Sequence, residues 1–188
     1  MLRDLYFYPL AALFVLGMVA FALSFGGGED VDEDYIVRTG WTMEGEALRN
    51  LTVSPGSNMD YVDDEGGYAR LSVFTPFGVG PASIGVFATL GPDHEDAFAG
   101  RLLTITVRAR ASDRDPLESF DSAYFTLEGP QSPWREFTLD RDWQDYTYQF
   151  TPPIIDAEPN VDFLAIFAGR AGEQKQMDLA SLRIEVKG

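Results

Sequence analysis

Strict two-residue alternation constrains this chain more than any other feature. Leu103, Ile105, Val107, Ala109 and Ala111 alternate with Thr104, Thr106, Arg108 and Arg110. Successive strand side chains point to opposite faces, so such a run reads as a strand with one face in a core and one in water. The pattern recurs in Ala69/Leu71/Val73, in Ile84/Val86/Ala88, in Ala123/Phe125/Leu127 and in Phe137/Leu139. It recurs again in Tyr146/Tyr148/Phe150 and Leu182/Ile184/Val186, while residues 163–168 are apolar on both faces and read as a central strand. With residues 51–53 this gives about nine strands separated by Pro, Gly and Asp turns. No stretch after residue 35 shows the 3.6-residue period of a long amphipathic helix. Many short strands in a chain of this size predict an all-β, antiparallel two-sheet jelly-roll sandwich.

Composition narrows the function classes. The 188 residues carry 14 Lys+Arg against 30 Asp+Glu, a net charge of −16, which opposes nucleic-acid binding. The absence of Cys excludes disulfides, thiol catalysis and thiolate metal sites. A single His, His94, argues against His-based zinc sites and a Ser-His-Asp triad; its Asp/Glu-rich surroundings read as a solvated loop. No GxSxG, Walker or Rossmann pattern occurs, and the chain is read as a non-enzyme.

Residues 5–25 are 21 uncharged positions, about 31 Å as a helix and enough to cross a bilayer core. Arg3 precedes them and five acids among residues 29–34 follow. The positive-inside rule then puts the N-terminus in the cytoplasm and the rest outside. Ala20-Phe21-Ala22 also spells a signal-peptidase site, but the near-neutral start and long apolar run favour an uncleaved transmembrane anchor. The expected organisation is an anchor over 1–25, a Gly/acidic linker over 26–34 and a β-sandwich over 35–188. A Cys-free outer domain suits the inner membrane of a bacterium, with the sandwich in the periplasm or extracellular.

The second half resembles a known family. Residues 98–112, containing Gly100-Arg101-Leu102-Leu103-Thr104-Ile105-Thr106-Val107-Arg108-Ala109-Arg110-Ala111-Ser112, resemble the G-x-x-Y-x-V-S-F-x-A-K-A-S strand of jelly-roll carbohydrate-binding modules of the galactose-binding-like superfamily. Trp134-Arg135-Glu136-Phe137-Thr138-Leu139 and the run from Trp143 to Phe150 are similar to its F-x-L-T-x-x-W-Q-x-Y-T-F-x-F segment. Met177-Asp178-Leu179-Ala180-Ser181-Leu182 is similar to its closing D-x-V-S-L strand. The usual N-G-x-F-E opening is missing, Gly40-Trp41-Thr42-Met43-Glu44 being a loose echo. The resemblance implies a jelly roll, glycan binding, a core position for Trp143, and one structural calcium with Asp178 as its carboxylate and Glu44 or Glu46 adding oxygen. No EF-hand spacing is present, and read alone Asp178 is a solvated or turn-capping residue.

Alternation selects the binding candidates. Trp134 is out of phase with Phe137 and Leu139, and Tyr124 shares a face with Thr126 and Glu128, so both are expected to point away from the core. Trp41, Tyr61 and Tyr68 fall in Gly/Asp-rich stretches that read as loops. Arg108 and Arg110 form a polar strip, suited to an anionic ligand or to pairing with acids such as Glu128. The candidate surface is therefore Trp134, Tyr124, Arg108, Arg110 and Trp41, aromatics beside Arg being enriched at recognition surfaces. Edge packing is the alternative for each aromatic. Two functions fit: a membrane-anchored glycan-binding domain, or an accessory subunit whose helix packs in a membrane complex while the sandwich docks on protein partners. Small residues in the anchor (Ala11, Ala12, Gly17, Ala20, Ala22) allow close helix approach.

Overall fold

The computed structural model describes residues 33–79, 85–127, 129–155 and 160–187. Among these no helix is long and apolar enough to cross a membrane. The anchor expected at residues 5–25, and the linker up to residue 32, lie outside the described residues. Glu33 and Asp34, assigned above to the linker, instead form the first turn of helix α1 (Glu33–Thr39). Glu33 pairs with Arg101 at 2.9 Å, and Ile36 enters the core.

Eleven strands follow among the described residues. They are β1 (Trp41–Glu44), β2 (Thr52–Val53), β3 (Ser57–Val62), β4 (Tyr68–Val73), β5 (Val86–Leu90), β6 (Leu103–Ala111), β7 (Ser119–Thr126), β8 (Arg135–Thr138), β9 (Gln144–Phe150), β10 (Asp162–Phe167) and β11 (Gln176–Val186). A second short helix, α2 (Pro92–Phe98), joins β5 to β6. One sheet has the order β3-β4-β11-β6-β9, with β1 also paired to β11; the other has the order β2-β5-β10-β7-β8. The named strand pairs are antiparallel, as expected.

The alternation in β6 predicts its faces correctly. Leu103, Ile105, Val107 and Ala109 are fully buried between the sheets, with Ile184 opposite Ile105. Each fully buried Leu, Ile or Val contributes roughly 1.5–3 kcal/mol. Strands β1 and β3 are the two that the pattern missed. Trp41 and Tyr61, expected in loops, lie in β1 and β3 and pack partly buried against the core; Tyr68, also expected in a loop, opens β4.

The larger correction concerns β7. Its core-facing set is not Ala123/Phe125/Leu127 but Phe120, Ser122, Tyr124 and Thr126, all buried, while Phe125 and the exposed Leu127 point outward. Tyr124, expected on the surface, is fully buried, because Asp162 on β10 accepts its hydroxyl at 2.6 Å and Ser132 Oγ accepts its backbone N–H at 2.7 Å. A paired hydroxyl removes the cost that would keep a tyrosine out of a core.

Candidate functional site

The inverted phase of β7 gives the five-stranded sheet an aromatic outer face. Phe87 on β5, Phe163 on β10 and Phe125 on β7 meet there. Phe163 stands opposite Phe125 in register, and Phe87 lies 6.4 Å from each, edge to face. The three rings floor a groove of about 370 Å³, open to solvent, with Thr52, Leu127 and Gln131 also lining it. This falls in the range of small-ligand sites. Its described lining contains no titratable side chain.

Both ends of the groove are fixed by backbone bonds. On the β2 side, Ser54 Oγ accepts the Gly85 N–H at 2.7 Å and Ser54 N–H donates to Gly85 O at 3.0 Å. Gly85 has φ 135°, and a Cβ there would sit 2.7 Å from the Ile166 carbonyl oxygen, so only glycine allows β5 to approach β10 this closely. On the β7 side, Ser132 N–H donates to Tyr124 O at 2.9 Å, fastening the turn that carries Gln131.

Trp134 lies beside the groove and not at its centre. It is half-buried, packing edge-on to Phe77 at 5.6 Å, Phe125 at 5.4 Å and Phe167 at 6.3 Å. Expected to point away from the core, it instead packs partly buried against core residues, Phe167 among them. Phe77 covers it, and Arg170 lies 5.0 Å over the Phe77 ring while pairing with the fully buried Asp121. Trp134 is therefore a wall that supports Phe125.

Arg108 and Arg110 occupy a different surface, the outer face of the six-stranded sheet. Arg108 is exposed and pairs with Asp145 at 2.9 Å. Arg110 reaches Asp178 at 3.3 Å and Glu65 at 3.1 Å, with its guanidinium 4.3 Å over the Trp143 ring. Trp143 also meets Tyr68 at 5.7 Å and donates Nε1–H to Glu65 at 3.1 Å. Trp143 thus belongs to a surface cation–aromatic cluster, a correction to the core position that the resemblance implied. Glu128, offered above as a partner for the arginines, lies outside the described residues.

Asp178 is likewise corrected. It is fully buried, and Arg70 grips it bidentately, Nε to Oδ1 at 2.8 Å and Nη2 to Oδ2 at 3.1 Å, while Arg110 adds a third contact. Two guanidinium groups satisfy this carboxylate and repel a cation. Glu44 stands across from Ser181 on β11, and Glu46 pairs with Arg49 at 2.7 Å. Among the described residues no group of three or more acids or histidines is arranged to hold a metal, so these residues do not fit the implied calcium. His94 is not a solvated loop residue either: it lies in α2 on Phe98, and burial lowers its pKa.

The structure therefore divides the five sequence candidates among the core (Tyr124), a core edge (Trp41), a groove wall (Trp134) and the opposite sheet (Arg108, Arg110). The groove phenyls were absent from that set. Their signal was present in β10, where apolar residues on both faces (Phe163, Ala165 and Phe167 beside Leu164 and Ile166) require that the outer face be covered or be used.

No family model matches the chain, and no curated protein matches it. Solved structures do match. A family 4 carbohydrate-binding module aligns at 18% identity and TM-score 0.52, covering 81% of this chain and 98% of that one. The family 22 xylan-binding domain of a Paenibacillus barcinonensis protein aligns at 10% identity and TM-score 0.53, covering 78% and 92%. The C-terminal family 22 module of a Clostridium thermocellum protein aligns at 12% identity and TM-score 0.53, covering 79% and 93%. Identities this low establish likeness of fold: the chain forms a two-sheet sandwich like that of jelly-roll carbohydrate-binding modules.

Proposed function

We propose that this domain binds a glycan without catalysis, through the groove on the outer face of the five-stranded sheet. The observation that carries the reading is the triad of phenyl rings, Phe87, Phe125 and Phe163, flooring a solvent-open groove with neutral polar groups at Thr52 and Gln131. Apolar ring faces suit the C–H faces of a sugar, while hydroxyl and amide groups orient its hydroxyls. The absence of a titratable side chain from the described lining supports a non-catalytic role and a neutral ligand. A net charge of −16 adds repulsion against polyanionic glycans. The likeness to a xylan-binding domain makes xylan-type chains the first ligands to try.

We further read residues 5–25 as an anchor that displays the domain outside a bacterial cytoplasmic membrane; 21 uncharged positions flanked by Arg3 and the acidic stretch support this. A second reading, docking on protein subunits of a membrane complex, draws support from the apolar lip of the groove, Leu127 at 56% exposed. Affinity electrophoresis through gels containing soluble xylan or β-glucan separates the two. Retardation that Phe163→Ala abolishes supports the glycan reading. Unretarded migration with every polysaccharide, together with stoichiometric co-purification of membrane subunits lost in Phe163→Ala, supports the docking reading.

A further inference from the structure

Directly behind the groove lies a carboxyl group with no counter-charge among the described residues. Asp162 opens β10 and is fully buried. Its Oδ2 accepts the Tyr124 hydroxyl, while Oδ1 is buried without a hydrogen-bond partner among the described residues. The groups that face it are few. From β7 comes Tyr124, whose ring packs on Phe150 of β9. From α2 comes Glu95, a like charge whose Oε2 accepts the Asn160 N–H. From β5 comes the apolar Leu90, opposite in register. His94, next to Glu95, packs on Phe98, and the charge that acts on it is Asp93. Tyr148 adds a weak electrostatic influence on Tyr124, and its hydroxyl is hydrogen-bonded with that of Ser122. No arginine or lysine acts on Asp162 among the described residues. Burial raises its pKa to about 6; the Tyr124 hydrogen bond opposes that rise and Glu95 adds to it.

Asp162 touches the groove through three short routes. Phe163 follows it in the chain, and Thr126, another lining residue, is its register partner on β7. Tyr124, which it holds by the hydroxyl, anchors Ser132 through two backbone positions, and Ser132 follows Gln131. A bare carboxylate oxygen in an apolar site favours any rearrangement that admits water, whereas a carboxylic acid there does not.

We propose that Asp162 is a proton-operated brace for the groove: protonated, it keeps the β7–β10 end packed and competent for glycan, and charged, it loosens that end and weakens binding. This rests on the glycan reading above. By linkage, a ligand that favours the braced form takes up a proton when it binds.

The test uses the full chain in detergent micelles with xylohexaose as the probe. Affinity and amide protection factors at Tyr124, Thr126 and Ser132 are compared at pH 5 and pH 8. The brace requires affinity about tenfold lower at pH 8, with lower protection at the three amides. Asp162→Asn, which carries no charge, flattens both responses. Tyr124→Phe removes the hydrogen bond that favours the charged form and moves the midpoint to higher pH, a shift that a merely weakened core would not produce. Protection independent of pH in the wild type, or a pH response that survives intact in Asp162→Asn, overturns the brace. Protection that responds to pH while xylohexaose binds at neither pH sinks the glycan reading for this probe and leaves the brace standing.

Discussion

Replacing Asp178 with Ala removes the one carboxylate that Arg70 and Arg110 share across β4, β11 and β6. The Asp178 side chain is 1% exposed, whereas Arg70 and Arg110 are 23% and 15% exposed. Breaking a fully buried ion pair costs roughly 3–5 kcal/mol. Because the guanidinium groups reach solvent, and Arg110 keeps Glu65, we discount this to about 2–4 kcal/mol. Arg70→Ala is milder, about 1–2 kcal/mol, since Asp178 keeps its contact with Arg110. Urea unfolding of wild type, both single variants and the double variant, each with calcium or with chelator, reads the effect. The expected result is a coupling between Asp178 and Arg70 and no calcium dependence in any protein. A loss below about 1 kcal/mol in Asp178→Ala, or a wild-type stability that calcium raises and the variant does not share, would show that Asp178 serves a cation and not the two arginines.

Other outcomes follow from the same packing. The folded pKa of Asp162, about 6, lies above its ordinary value of 3.8, so the native state binds the extra proton. Its contribution therefore makes stability fall as pH rises from about 4 to 6 and levels off above that, by about 3 kcal/mol in total. The stability difference between wild type and Asp162→Asn, followed from pH 4 to 8 by denaturant unfolding, isolates this contribution; a pH-independent difference counts against it. Trp134→Ala should lower stability by roughly 2–4 kcal/mol, because the ring is wedged among Phe77, Phe125 and Phe167, and an unchanged thermal midpoint would show that the wall is dispensable. Gly85→Ala should destabilise through both its φ of 135° and the close Ile166 carbonyl, by roughly 2 kcal/mol or more, measurable by thermal unfolding.

The fold was legible where a strand has one apolar face. In β6, five apolar residues alternate with polar ones, and the buried face follows from that single-sided pattern. In β7 both parities are apolar, so period alone could not choose between Phe125 and Tyr124. The choice was made by Asp162, 38 residues away in sequence and invisible to any local pattern. Strand β3 alternates weakly because it is an edge strand, and β1 is only four residues long. Trp143 and Arg110 each stand out in the sequence, but their association depends on Glu65, held over the sheet by the β3–β4 turn with φ 51°. The groove escaped the local pattern for the same reason. Alternation points to aromatics set among polar neighbours, whereas Phe163 of the groove sits in a strand that is apolar on both faces.

In the proposed mode of binding a glycan lies across Phe87, Phe125 and Phe163. Titrating isotope-labelled protein with xylo- and cello-oligosaccharides, while following amide and aromatic resonances, tests it most directly. Saturable shifts are expected at Thr52, Phe87, Phe125, Gln131 and Phe163, with Arg108, Arg110 and Trp143 silent. Saturable shifts centred on Arg110 and Trp143, or no shift with any of these oligosaccharides, would contradict it.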